Sequence, residues 1–184
     1  MHDDARLSDH LELVTIRHKR ILDNLGLSGL FTIAVIGPDG RVKDQETVPN
    51  LITQVGDQLY GERGAGVTGA PAVPTGMRLG TGSTAASKTG AGAAIDTYQS
   101  GSAKVLDAEP GSSLSGSSRR ITYVVTWDGS ESWSALREAV ITNATIADAA
   151  GAEADTISRV VYASKSKDTE DTLVGTWTHD LLGA

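Results

Sequence analysis

The sequence predicts a mainly β protein: an antiparallel β-sandwich or jelly roll with an N-terminal helical arm and one short additional helix. Three observations carry this. Short runs rich in Val, Ile, Thr, Tyr and Trp recur with turn residues between them, as in antiparallel all-β folds. Of 184 residues, 21 are Gly, and twelve of these fall between positions 61 and 118, a distribution that reads as long loops joining strands. Before residue 26, by contrast, the apolar spacing is helical. The expected organisation is therefore an arm over 1–28, then a single β-sandwich domain over 29–184 with long Gly/Ser-rich loops at 61–118.

The arm comes first. Leu7, Leu11, Val14, His18, Ile21 and Leu25 recur at alternating spacings of four and three, which places them on one face of a helix over 7–25. Ser8 or Asp9 can cap its start, with Glu12 completing a capping-box pattern, and Gly26 suits a left-handed stop. A helix with one apolar face is marginal alone. It must dock on its own domain or on another subunit.

After Gly29 the period changes to two. Leu30–Ile36, the turn Gly37-Pro38-Asp39-Gly40 and Arg41-Val42-Lys43 form a strand–turn–strand signal, in which Pro presets φ and Gly accepts positive φ. Asn50 is placed to cap a second, short helix through Leu51, Ile52, Val55, Leu59 and Tyr60. Within the Gly-rich span, Met77-Arg78-Leu79 and Ala103–Leu106 are two short strand islands. Four further strands are expected at Arg120–Trp127, Ala139–Ala144, Ile157–Tyr162 and Thr172–His179, the last preceded by a charged loop over Lys165–Asp171.

Composition excludes several chemistries. The chain has no Cys, which removes disulfides, thiolate-ligated metals and a cysteine nucleophile. A net charge of −7 argues against tracking nucleic-acid phosphates. The longest apolar stretch, Leu30–Ile36, is far short of the roughly 20 residues that span a bilayer, and the polar Met1–Arg6 start is unlike a signal peptide. We therefore expect a soluble, acidic protein made inside the cell, with neither nucleic acid nor membrane as partner.

The motifs that resemble catalytic or cofactor sites each lack a required part. Gly82–Thr89 nearly fits a phosphate-binding P-loop, but Ser87 stands where Gly should precede Lys88, and no helical period follows. Gly80-x-Gly82-x-x-Ala85 matches a relaxed dinucleotide fingerprint and fails likewise. His179 has no nucleophile elbow to serve, Ser113-Leu114-Ser115-Gly116 being low-complexity loop. Asp168, Glu170 and Asp171 form a solvated turn with at most a weak affinity for a hard cation. Trp127 and Trp177 sit within apolar strands and are expected in the core, whereas Trp133 and Tyr98 are candidates for an exposed sugar platform. No catalytic, cofactor-binding or metal-ligating residue is expected.

Val48-Pro49-Asn50-Leu51-Ile52 with Gly56 is followed by Met77-Arg78-Leu79-Gly80-Thr81-Gly82-Ser83-Thr84-Ala85. Glu138-Ala139-Val140-Ile141-Thr142-Asn143-Ala144, Ile157-Ser158-Arg159 and the segment from Lys167 to Thr178 come next. This order of segments, over most of residues 48–184, resembles a family of tailed-bacteriophage virion structural proteins; the 7–25 helix is not part of it. The resemblance implies a non-enzymatic particle component. It would be a capsid decoration (cement) subunit, commonly a homotrimer, or a fibre or tip protein of the tail or baseplate. A decoration protein is the first expectation, made in the host cytoplasm and located in the virion. Its partners would be its own copies and the major capsid protein or other virion proteins. Leu7, Leu11, Val14, Ile21 and Leu25 are the expected contacts between chains. A carbohydrate-binding module is the further alternative.

Overall fold

Ten strands and one short α-helix account for most of residues 26–181, the part of the chain that the computed structural model describes. The helix expected over 7–25, and with it Leu7, Leu11, Val14, Ile21 and Leu25, lies outside the described residues. The strands are β1 (Leu27–Ile36), β2 (Val42–Pro49), β3 (Leu51–Ile52), β4 (Gly76–Gly80), β5 (Lys104–Val105), β6 (Gly111–Ser115), β7 (Ser118–Trp127), β8 (Trp133–Thr142), β9 (Thr156–Lys167) and β10 (Thr172–Leu181). They form two antiparallel five-stranded sheets, in the orders β2-β1-β10-β7-β6 and β3-β9-β8-β4-β5. The mainly β expectation therefore holds.

Alternation along the strands builds the core. In β10, Leu173, Gly175, Trp177 and His179 are buried while their neighbours stay half-exposed; β1 contributes Phe31, Ile33 and Val35 in the same way. The second sheet supplies Met77, Leu79, Ala139, Ile141, Ile157 and Val160 to the same cluster. Phe31 joins the sheets, its ring 4.7 Å from Trp177 beside it and 5.7 Å from Tyr162 of the other sheet. Gly175 makes room for this packing: a Cβ there would stand 3.0 Å from Trp127 and 3.3 Å from Phe31.

Four sequence expectations are corrected. The helix after Asn50 is shorter, with Leu51 and Ile52 pairing as β3 with Arg159 and Ser158. The helix α1 (Gln54–Gln58) is capped by Thr53, whose hydroxyl accepts from the Gly56 amide, and one π-helical turn, Leu59–Arg63, continues it. Asn50 instead ties the sheets together where the chain crosses between them: its Nδ2 donates to Thr178 O, its Oδ1 accepts from Ser158 Oγ, and its amide donates to Gly29 O. Secondly, Gly111–Ser115 is a strand rather than loop, paired in register with β7 through a two-residue turn at Gly116, whose φ is +62°. Thirdly, β9 runs on through Lys165 to Lys167, because Lys165 pairs with Asp44 and Glu46 of β2 and Lys167 Nζ donates to three backbone carbonyls. Only 168–171 remains as turn. Finally, β8 starts six residues earlier than its apolar run, at Trp133, and carries bulges on either side of Leu136, with Ala135 at φ +57°.

Candidate functional site

Long Gly/Ser-rich loops cover the outer side of the β3-β9-β8-β4-β5 sheet, and two buried charges organise them. Ala139 and Ile141 of β8 enter the core, while Glu138 turns the other way, beneath the segment 81–97. Its carboxylate accepts from the amides of Gly82 (3.0 Å), Asp96 and Thr97 (2.8 Å), and from Nε and Nη2 of Arg159 (3.2 and 2.7 Å). Arg159 Nη1 then donates to Gly92 O at 3.0 Å. Neither side chain has solvent exposure. The pair is satisfied in full, the condition under which a buried charge is tolerated.

This explains the P-loop likeness. The Gly-rich segment does present backbone N–H groups to an anion, but the anion is the chain's own Glu138 carboxylate. A Cβ at Gly80 or Gly82 would stand 2.5 Å from Glu138 Oε1. Lys88, the residue that would reach a terminal phosphate, is bound by Asp57 at 2.6 and 2.8 Å. A single 3-10 turn, Gly90–Ala93, follows instead of a helix.

A cleft of about 490 Å³ opens beside this layer, between α1, the 88–93 segment and the 3-10 turn Glu153–Asp155; Gln54, Gln58, Lys88, Ala93 and Glu153 line it. Its rim is self-paired, since Glu153 Oε1 accepts from the Gly90 amide and Lys88 is held by Asp57. An apolar groove of about 310 Å³, lined by Leu59, Tyr60, Val73, Pro74, Tyr123 and Leu181, lies at one end of the other sheet. Behind it the Tyr60 hydroxyl stands 2.6 Å from His179 Nδ1 and 2.9 Å from the Tyr123 hydroxyl. Burial pushes His179 down to about 3 and both tyrosines up, so all three groups stay neutral at ordinary pH.

The outer face of the β2-β1-β10-β7-β6 sheet has a uniform character. Thr32, Thr47, Thr176, Thr178, Thr122 and Thr126 stud it, with Ala34, Ile36, Val124 and Val174 between them. Thr32 and Thr47 share a hydroxyl–hydroxyl bond of 2.8 Å. Among the described residues its central strands carry one charged pair, Arg120–Asp180, which neutralises itself through two bonds of 2.8 Å.

Trp127 and Trp177 are in the core as expected. Trp133 is buried too, at 6% exposure, and cannot serve as an exposed sugar platform; Tyr98 is half-buried with its hydroxyl on Asp148. Asp171 is buried against Lys43 Nζ at 2.8 Å, so the 168–171 turn is an ion pair rather than a cation site. Among the described residues no group of three His, Asp or Glu converges on a common point. Glu138 and Arg159 were missed as a pair; the signal available was an opposite charge within each of two apolar strands. No family model matches the chain, nor does any curated protein or solved structure.

Proposed function

We propose that this chain is a structural component of a tailed-phage particle, a decoration subunit that attaches to the assembled shell by contact rather than catalysis. In this reading the two sheets are the halves of a β-sandwich, and the outer face of the β2-β1-β10-β7-β6 sheet is the surface that meets the shell. The N-terminal residues Leu7, Leu11, Val14, Ile21 and Leu25 add contacts between chains.

The observation that supports the reading is that Thr-studded face, whose central strands carry no charge beyond the self-neutralised Arg120–Asp180 pair. Interface centres are depleted of charge, because a buried unpaired charge costs more than the contact returns. Five strands about 4.8 Å apart and up to ten residues long span on the order of 700 Å², close to one partner's share of a standard interface. The resemblance of the order of sequence segments to that of phage virion proteins supports the same class.

Co-sedimentation of the purified chain with undecorated shells of its cognate phage tests this. Thr176→Lys and Thr32→Glu place a charge mid-face without touching the core, and each is expected to weaken attachment at least tenfold while leaving the melting temperature unchanged. Attachment equal to wild type in both variants would overturn the assignment of this face.

A further inference from the structure

Antiparallel sheets expose unpaired backbone groups at their edges, and proteins blunt those edges with charge, Pro or shortness. Three of the four edges here are blunted. β2 carries Lys43, Asp44, Glu46 and Pro49, while β3 and β5 are two residues long. The fourth, β6, reads Gly-Ser-Ser-Leu-Ser, has no charge and no Pro, and is exposed from Gly111 to Leu114. Leu114 within it is 70% exposed, more than any other large hydrophobic residue described.

The register shows which groups are open. Ser115 and Ser118 close the two-residue turn, so Gly111, Ser113 and Ser115 exchange backbone bonds with β7. The same alternation continues along β7, where Val124 O and the Thr126 amide face this edge and are taken by the Asp107 amide and carboxylate. Among the described residues the edge is thus closed at Asp107 and open at Ser112 and Leu114, whose N–H and C=O groups point away from the sheet.

We propose that β6 pairs with β6 of a second copy of this chain, antiparallel, about a two-fold axis through Ser113. In that register Ser112 of one copy exchanges both backbone bonds with Leu114 of the other, and the reverse, giving four hydrogen bonds. A charged strand would repel itself across a two-fold; this one is uncharged. Its Gly and Ser residues let the backbones close, and each Leu114 covers the other's Ser112 and reaches the other Leu114 on the diagonal. The axis is perpendicular to the sheet, so both outer faces look the same way and form one ten-stranded surface. The pairing stands on the edge alone; its consequence, a doubled contact area on one side, adds avidity to the attachment proposed above. An isologous contact of this kind is two-fold, unlike the trimer that the sequence resemblance implies.

The test is sedimentation velocity of the full chain from about 10 to 500 μM, with amide hydrogen exchange at Ser112 and Leu114. The range suits a five-residue edge contact, which is far smaller than a standard interface. Wild type is expected to shift toward twice the mass of its dissociated form with concentration, and both amides to become protected as it does. Leu114→Lys and Ser112→Pro, both on exposed edge positions, are expected to abolish the shift together with the protection of the amides that remain, at 112 and 114 in the first and at 114 in the second. A wild-type chain that shows neither at 500 μM would overturn the proposal, as would an assembly of any size that both variants leave unchanged. Neither result depends on shell binding: a wild-type chain that pairs but fails to attach overturns the face and leaves the edge standing, and one that attaches but does not pair overturns the edge and leaves the face standing.

Discussion

Glu138 and Arg159, 21 residues apart in sequence, meet beneath the Gly-rich loops with Arg159 Nη2 2.7 Å from Glu138 Oε2 and no exposure of either side chain. Together they fasten Gly82, Gly92, Asp96 and Thr97 to the sheet. Removing one partner leaves the other charge buried and uncompensated, at a cost of about 3–5 kcal/mol. Arg159→Leu is therefore expected to lower unfolding free energy by that amount in urea titration, and to open 81–97 to limited proteolysis before the strands are cut. Glu138→Leu with Arg159→Leu should cost less than the two single changes added.

Gly82 tests the same layer from the loop side. Ala there sets its Cβ 2.5 Å from the Glu138 carboxylate and close to Asp96. Overpacking of this kind costs about 1–3 kcal/mol. Gly82→Ala is expected to destabilise within that range, whereas Gly61→Ala, whose Cβ meets open space, should be tolerated; differential scanning calorimetry distinguishes them.

This layer also marks where sequence reasoning succeeds and stops. Strands such as Leu27–Ile36 and Thr172–Leu181 are legible because alternate residues bury one apolar face, a local pattern. Gly111–Ser115 is not legible, since its residues have no strand preference and are held by the Gly116 turn and by β7. Asn50 carries a helix-cap signature yet serves as a link between sheets, because Leu51 and Ile52 find a partner strand in β9. The Gly-rich loops are legible as loops. What they wrap around is not, because Glu138 and Arg159 become neighbours only after β8 and β9 pair.

His179 gives a pH dependence with a definite sign. Its folded-state pKa is about 3, lowered from 6.5 by burial behind Tyr60 and Tyr123. The unfolded chain takes up a proton near pH 6.5 and the folded one does not, so stability falls as pH drops from about 6.5 toward 3. The full loss is about 5 kcal/mol at about 1.4 kcal/mol per pKa unit. Between pH 6 and 4.5, above the range in which Asp171 and Asp180 take up protons, His179→Gln should abolish most of the slope in urea midpoints.

Lys167 is fully buried, and its ammonium donates to the carbonyls of Gly129, Glu131 and Asp168 at 2.9–3.2 Å, joining the β7–β8 and β9–β10 turns at one end of the β8–β9 pair. Lys167→Met keeps the stem and strands three acceptors, at a cost of about 2–4 kcal/mol. Faster amide exchange at 129–132 and 168–171 than in wild type is the expected signature.

Copy number separates a decoration subunit, the role proposed for this chain, from a tail component. Quantitative peptide mass spectrometry of purified cognate phage particles, with the chain counted against the main shell protein, measures it. The proposed role calls for hundreds of copies per particle, in fixed proportion to the shell subunit. A handful of copies would place the chain in the tail, and its absence from the particle would overturn the proposal.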